Sequence, residues 1–266
     1  MYLNFQQAQI YLGTGGKVFD ANLPTVIFLH GSGMDHRAWQ LQTRWFAFHG
    51  FSVLAPDFPA HSLSTGQALA SIEAAAIWVW DLIDQLKIQT VSLVGHSQGA
   101  LVALEAAAMQ PARIRSLSLL ATGAAIPVND QLLQLAQKNK PAAVAAMLSW
   151  GFGEAYQFGN SQVPGLAPLA IAGQIMQQNP LATDLAVCQA YQNGELAAQK
   201  IIAPTQLIFG EYDRMTPIKA GRALAGVLPN LQSHTELASG HMLPVEEPAA
   251  CLQLLRNFIQ PFALRA

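Results

Sequence analysis

Short, largely apolar runs punctuate the chain: TVIFL at 25–29, FSVLA at 51–55, VSLV at 91–94, SLSLL at 116–120 and TQLIF at 205–209. Continuous runs of this length fit strands covered on both faces. Between them the period changes. Leu69, Ile72, Ala76, Trp80, Ile83 and Leu86 recur at three- and four-residue steps, which predicts a helix with one apolar face. Strands alternating with helices imply an α/β fold with a mostly parallel sheet between helical layers.

The alternation stops after Leu120 and returns at Thr205. DQLLQLAQ, AAVAAMLSW, LAPLAIAGQIMQQN and LATDLAVCQAYQ read as helices, broken by Pro141, by Gly and Pro around 159–165, and by Pro180. The expected organisation is a core of residues 1–123 and 201–266 with a helical cap, 124–200, inserted between core strands. The alternative is extra helices on the side of the sheet. A cap is the preferred reading because open α/β sheets bind ligands at the C-terminal edge of their strands.

The run VSLV-GHSQG-ALVALEAAA is strand, tight turn, helix, with Ser97 between Gly95 and Gly99. Such a turn forces its middle residue into a strained conformation and lifts the hydroxyl above the sheet. A serine hydroxyl is a weak nucleophile and needs a base, which in turn needs an orienting acid. In a parallel sheet these come from loops after later strands. Asp213 in LIFGEYDRMTP is the expected acid, with Glu211 the rival. His234 and His241 are the histidines beyond it; His234 falls in a strand-like run, so His241, after Gly240, is the expected base. His96 is expected to pack inside the elbow and His49 to lie at a helix end or on the surface.

Oxyanion donors are expected from the backbone N–H of Gln98, at the helix start, and of Ser32 in the HGSGM loop after the first buried strand. Met34, Met242 and the aromatic cluster Trp150, Phe152, Tyr156 and Phe158 are candidate pocket residues; the aromatics could equally pack the inserted helices onto the core.

Taken in order, FLHGSGMDHRAW, VLAPDFPAHSLS, LVGHSQGALVALEAA, LIFGEYDRMTP and SGHMLPVEEP resemble the α/β-hydrolase superfamily over nearly the whole chain. The resemblance implies an eight-stranded, mostly parallel sheet, a helical cap and a Ser97–Asp213–His241 triad. Many members carry glycine where this chain has Ala60 and again where it has Ser62. In that segment Asp57 and His61 are expected to shape the loop. Fold and triad do not name a substrate.

Composition narrows the function. Of 266 residues 52% are apolar and 11% charged, with a net charge of −2, which suits a buried core and makes no electrostatic case for nucleic acid or an anionic membrane. Two cysteines build neither a disulfide framework nor a zinc site. With no signal-like start and no bilayer-length apolar run, a cytoplasmic protein is expected. The expected function is a serine hydrolase cleaving a carboxylic ester through an acyl-enzyme on Ser97, with no metal or organic cofactor. A carbon–carbon hydrolase of ring-cleavage products, an acyltransferase and a non-enzymatic ligand receptor are the alternatives. Between Arg115 and Arg214 there is no arginine to grip a substrate carboxylate, which points to a small or apolar neutral substrate; Arg37 and Arg44 are the residues that could overturn this.

Overall fold

A computed structural model describes residues 1–153 and 168–263. Its sheet has eight strands: β1 (Tyr2–Phe5), β2 (Ala8–Gly13), β3 (Thr25–Leu29), β4 (Ser52–Pro56), β5 (Val91–His96), β6 (Ile114–Leu120), β7 (Thr205–Gly210) and β8 (Leu231–Leu237). They lie in the order β1-β2-β4-β3-β5-β6-β7-β8. From β4 to β8 every neighbouring pair is parallel, while β1 and β2 form an antiparallel hairpin added to β4. All five apolar runs are strands of the parallel portion, and β3, β4, β5 and β7 are buried at every residue. Alternate residues feed opposite cores: Ile27, Leu29, Leu93 and Leu207 one, Val26, Phe28, Val94 and Ile208 the other.

The crossover helices are α1 (Gln40–Phe48), α2 (Ile72–Gln85) and α3 (Gln98–Met109). Ser71 caps α2 through its hydroxyl, which accepts from the Ala74 amide, and Trp80 of α2 donates its indole N–H to Ala106 O of α3.

Between β6 and β7 lie α4 (Asp130–Lys138), α5 (Lys140–Gly151), α6 (Pro168–Gln178), α7 (Leu181–Ala190) and α8 (Gly194–Gln199). Pro141 does not separate two helices; it sits in the first turn of α5, where its missing N–H costs nothing, and Asn139 makes the break by capping that turn. The insertion splits in space. Asn179 and Asp184 bond the loop after β3, at the C-terminal edge of the sheet. Farther on, Tyr191 and Asn193 turn aside to bond Glu105 of α3 on the sheet's flank. The chain closes with α9 (Ile218–Ala225), α10 (Leu243–Glu246) and α11 (Pro248–Ala263). Among the described residues no helix is long and apolar enough to cross a membrane.

Candidate active site

Ser97 stands between β5 and α3 with φ 54° and ψ −120°, a left-handed conformation that costs a non-glycine residue about 1–3 kcal/mol. A Cβ on Gly95 would collide with the backbone of Gly99, and one on Gly99 with the carbonyls of Leu29 and His30. The two glycines therefore let strand, helix and the neighbouring β3 end meet closely enough to hold the turn.

Three loops converge on that serine. His241 Nε2 lies 2.9 Å from Ser97 Oγ, and His241 Nδ1 lies 2.8 Å from Asp213 Oδ2. The hydroxyl can donate to Nε2 while the Nδ1–H donates to the carboxylate. Asp213 also accepts the Met215 and Thr216 amides on Oδ1 and the Thr216 hydroxyl on Oδ2. Burial pushes its carboxyl up, but the facing His241 and the Thr216 bonds outweigh this and hold it below the usual carboxylate range. Glu211, the rival acid, is exposed. His234 lies in β8, away from this cluster.

The base loop is fastened from below. His96 Nε2 donates to the His241 carbonyl at 2.8 Å, and burial with the neighbouring His241 pushes the His96 imidazole down to about 3. Buried Glu246 accepts the amides of Gly240 and Gly153 on Oε2 and that of Met242 on Oε1. His49, as expected, ends α1 in an exposed position.

The loop after β3 lies against the elbow, since a Cβ on Gly31 would come within 2.9 Å of His96 Nδ1 and 3.1 Å of Ser97 Cβ, closer than van der Waals contact. Neither the Ser32 nor the Gln98 amide hydrogen-bonds to another described residue. The adjacent Gly33 amide, by contrast, is taken by Asp184 Oδ2 at 2.7 Å. Asp57 shapes its loop by accepting His36 and Leu63 amides. Asp35, His36 and Asp57 lie close enough to share an ion. However, Arg37 forks onto Asp35, and His36 Nδ1 already occupies Asp57.

A cavity of about 360 Å³ opens beside Ser97 and His241. Met34, Trp150 and Met242 line it, as the sequence suggests, together with Met147, Met176 and Met215. Phe152 departs from the expectation: as the extended residue that ends α5 it is buried in the core packing and does not line the cavity. Tyr156 and Phe158 lie outside the described residues. Arg37 is committed to Asp35, but Arg214, which only bounds the arginine-free stretch in sequence, lines the cavity and donates to Ser149 O of α5. Glu246, Thr216, Asn179, Asp184 and Cys188 were missed as site residues. Only Thr216, three residues after the acid, carried a local signal.

The model of the alpha/beta hydrolase fold family matches residues 24–248, and the chain belongs to that family. A pimeloyl-[acyl-carrier protein] methyl ester esterase of Chromobacterium violaceum is 33% identical over 224 residues, covering 78% of this chain and 83% of that protein. An (E)-2-((N-methylformamido)methylene)succinate hydrolase of Acinetobacter baylyi is 30% identical over 96 residues, 36% of either chain. In structure, the enol-lactonase of Burkholderia xenovorans LB400 superposes with a TM-score of 0.87 over 98% of this chain and 100% of its own, at 23% identity. The chain is an enzyme with hydrolase activity.

Proposed function

We propose that the protein is a carboxylic ester hydrolase that works through an acyl-enzyme on Ser97. The observation that carries this is the unbroken chain Ser97 Oγ–His241 Nε2, 2.9 Å, and His241 Nδ1–Asp213 Oδ2, 2.8 Å, at the wall of the cavity. His241 takes the serine proton as Ser97 attacks the ester carbonyl. Asp213 keeps the Nδ1–H tautomer and stabilises the imidazolium. The free Ser32 and Gln98 amides receive the oxyanion. His241 then protonates the leaving alkoxide, and a water deprotonated by His241 releases the acid.

In this reading α4–α7 form the cap, and the apolar cavity takes an uncharged acyl group. A volume of about 360 Å³ suits a small ligand. Five methionines, Met34, Met147, Met176, Met215 and Met242, give walls that adapt to chain shape. A relative named as a methyl ester esterase supports ester chemistry. The test is a fluorophosphonate probe with a p-nitrophenyl ester assay. The probe should label Ser97, and Ser97→Ala should lose label and about 10⁴-fold or more in turnover. Undiminished labelling of Ser97→Ala would overturn the assignment.

A further inference from the structure

The oxyanion loop is held partly from outside the core that produces it. Gly33 is gripped at both ends by residues of the insertion: its N–H donates to Asp184 Oδ2 at 2.7 Å, and its carbonyl accepts from Asn179 Nδ2 at 3.0 Å. Asn179 Nδ2 also reaches Met34 O at 2.8 Å. The peptide next to the Ser32 donor thus hangs from two buried side chains of the segment between α6 and α7 and of α7 itself.

The same two side chains hold a second loop. Asn179 Oδ1 accepts the Ser62 amide at 2.8 Å, and Asp184 Oδ2 lies 2.9 Å from His61 Nε2. This turn is strained: Ala60 has φ 66° and Ser62 φ 45°, a left-handed conformation that costs a residue with a Cβ. Strain of that kind persists only where surrounding contacts over-determine it, and here Asn179 and Asp184 add to the bonds that Asp57 makes to the same turn.

His61 must be a cation to complete this arrangement. Its Nδ1 lies 3.0 Å from Pro59 O and its Nε2 faces the Asp184 carboxylate, so both ring nitrogens meet pure acceptors. Only the imidazolium donates to both. His30, whose ring centre lies 4.9 Å away, shows the contrast. It donates from Nδ1 to Gly31 O and accepts the Phe58 amide on Nε2, so the neutral ring is satisfied. Burial pushes His30 down to about 4. For His61, burial acts downward too, but Asp184, the Pro59 carbonyl and Asp57 outweigh it and raise it above the ordinary histidine value. Among the described residues, the charged or titratable groups facing the pair are His30 after β3, Asp57 after β4, Lys140 of α5 and Cys188 of α7.

We infer that Asn179 and Asp184, with the His61 imidazolium as counter-ion, are positioning residues that hold the Ser32 amide in register with Ser97, and that proton loss from His61 loosens this hold. The inference rests on the ester-hydrolase reading above, in which Ser32 supplies an oxyanion donor. Activity is then lost as pH rises through the raised His61 titration, because the cation is complete below it and absent above it.

The test compares wild type, Asp184→Asn and Asn179→Ala in p-nitrophenyl butyrate turnover and in inhibition by phenylboronic acid, whose tetrahedral adduct places an oxygen in the oxyanion site. Asp184→Asn keeps the acceptor shape and removes the charge. It should lower kcat about 10- to 100-fold with KM within about twofold, weaken the boronic acid in parallel, and move the alkaline limb of kcat to lower pH. Asn179→Ala should lower kcat and leave that limb in place. Wild-type kcat in Asp184→Asn, or lost activity with an unmoved limb, overturns the inference. Should Asp184→Asn not fold, the His61 titration followed by NMR in the wild type must coincide with the alkaline limb, and a mismatch overturns it. A wild type that neither turns over the ester nor binds the boronic acid sinks the hydrolase reading instead. The clamp is then judged by the hydrogen-exchange protection of the Gly33 amide, corrected for the intrinsic rise of exchange with pH; protection should fall when His61 deprotonates, and constant protection overturns the inference.

Discussion

His96 donates its Nε2–H to the main-chain carbonyl of His241 at 2.8 Å, tying the residue before the elbow serine to the residue that faces it. The other ring nitrogen, Nδ1, is buried with no hydrogen-bond partner among the described residues, so the imidazole is kept for that one bond. His96→Leu should therefore fold and retain fluorophosphonate labelling of Ser97, while kcat falls about tenfold or more as the base shifts. Steady-state kinetics beside a melting curve check this; unchanged kcat would show that the tether is dispensable.

The carboxylate assignment separates two residues in one loop. Asp213 touches His241 and Thr216, whereas Glu211 is exposed. Asp213→Asn should cost about 10³- to 10⁴-fold in kcat by losing the required tautomer, and Glu211→Gln less than about twofold. Equal losses, or the reverse order, would reject the assignment.

Stability should fall on mild acidification. His30 is pushed down to about 4 and His96 to about 3 by burial, while an unfolded histidine titrates near its ordinary value of about 6.5. Between those limits the unfolded chain binds more protons, so stability drops as pH falls. From pH 7 to 5 each histidine removes about 2 kcal/mol on this linkage. Melting temperatures of wild type and His96→Leu over that range check the sign: the variant should show the shallower decline.

How much of this was legible in the sequence depends on the range of the interaction. The buried strands read directly, because both faces are covered and no alternation dilutes the run. The β1–β2 hairpin was missed, since its turn uses Gln6 and Gln7 at φ 47° and 62° without the glycine or asparagine that marks such turns. Ser97, Asp213 and His241 were readable because each sits at a strand end in a loop of recognisable composition. Asp184 was not. It occurs inside a largely apolar helical run as a lone acidic position, and its partners Gly33 and His61 lie 151 and 123 residues away. Nothing local distinguishes a solvated aspartate from one that will hold a buried imidazolium.

The remaining prediction concerns substrate charge. The insertion holds no arginine, so Arg37 and Arg44 are the sequence's candidates to grip a substrate carboxylate. Arg37 is removed from contention by its fork onto Asp35. Arg214 takes its place: it lines the cavity, yet its side chain is exposed and anchored on Ser149 O at the end of α5. A guanidinium in that setting stays hydrated at the rim, and on the proposed reading the methionine-rich wall receives the acyl chain. A carboxylate driven into that wall would lose its water without a partner. We expect kcat/KM for p-nitrophenyl butyrate to exceed that for mono-p-nitrophenyl succinate by about tenfold or more. Faster turnover of the succinate ester, lost in Arg214→Ala, would instead make the rim arginine a carboxylate anchor and reverse the proposed preference.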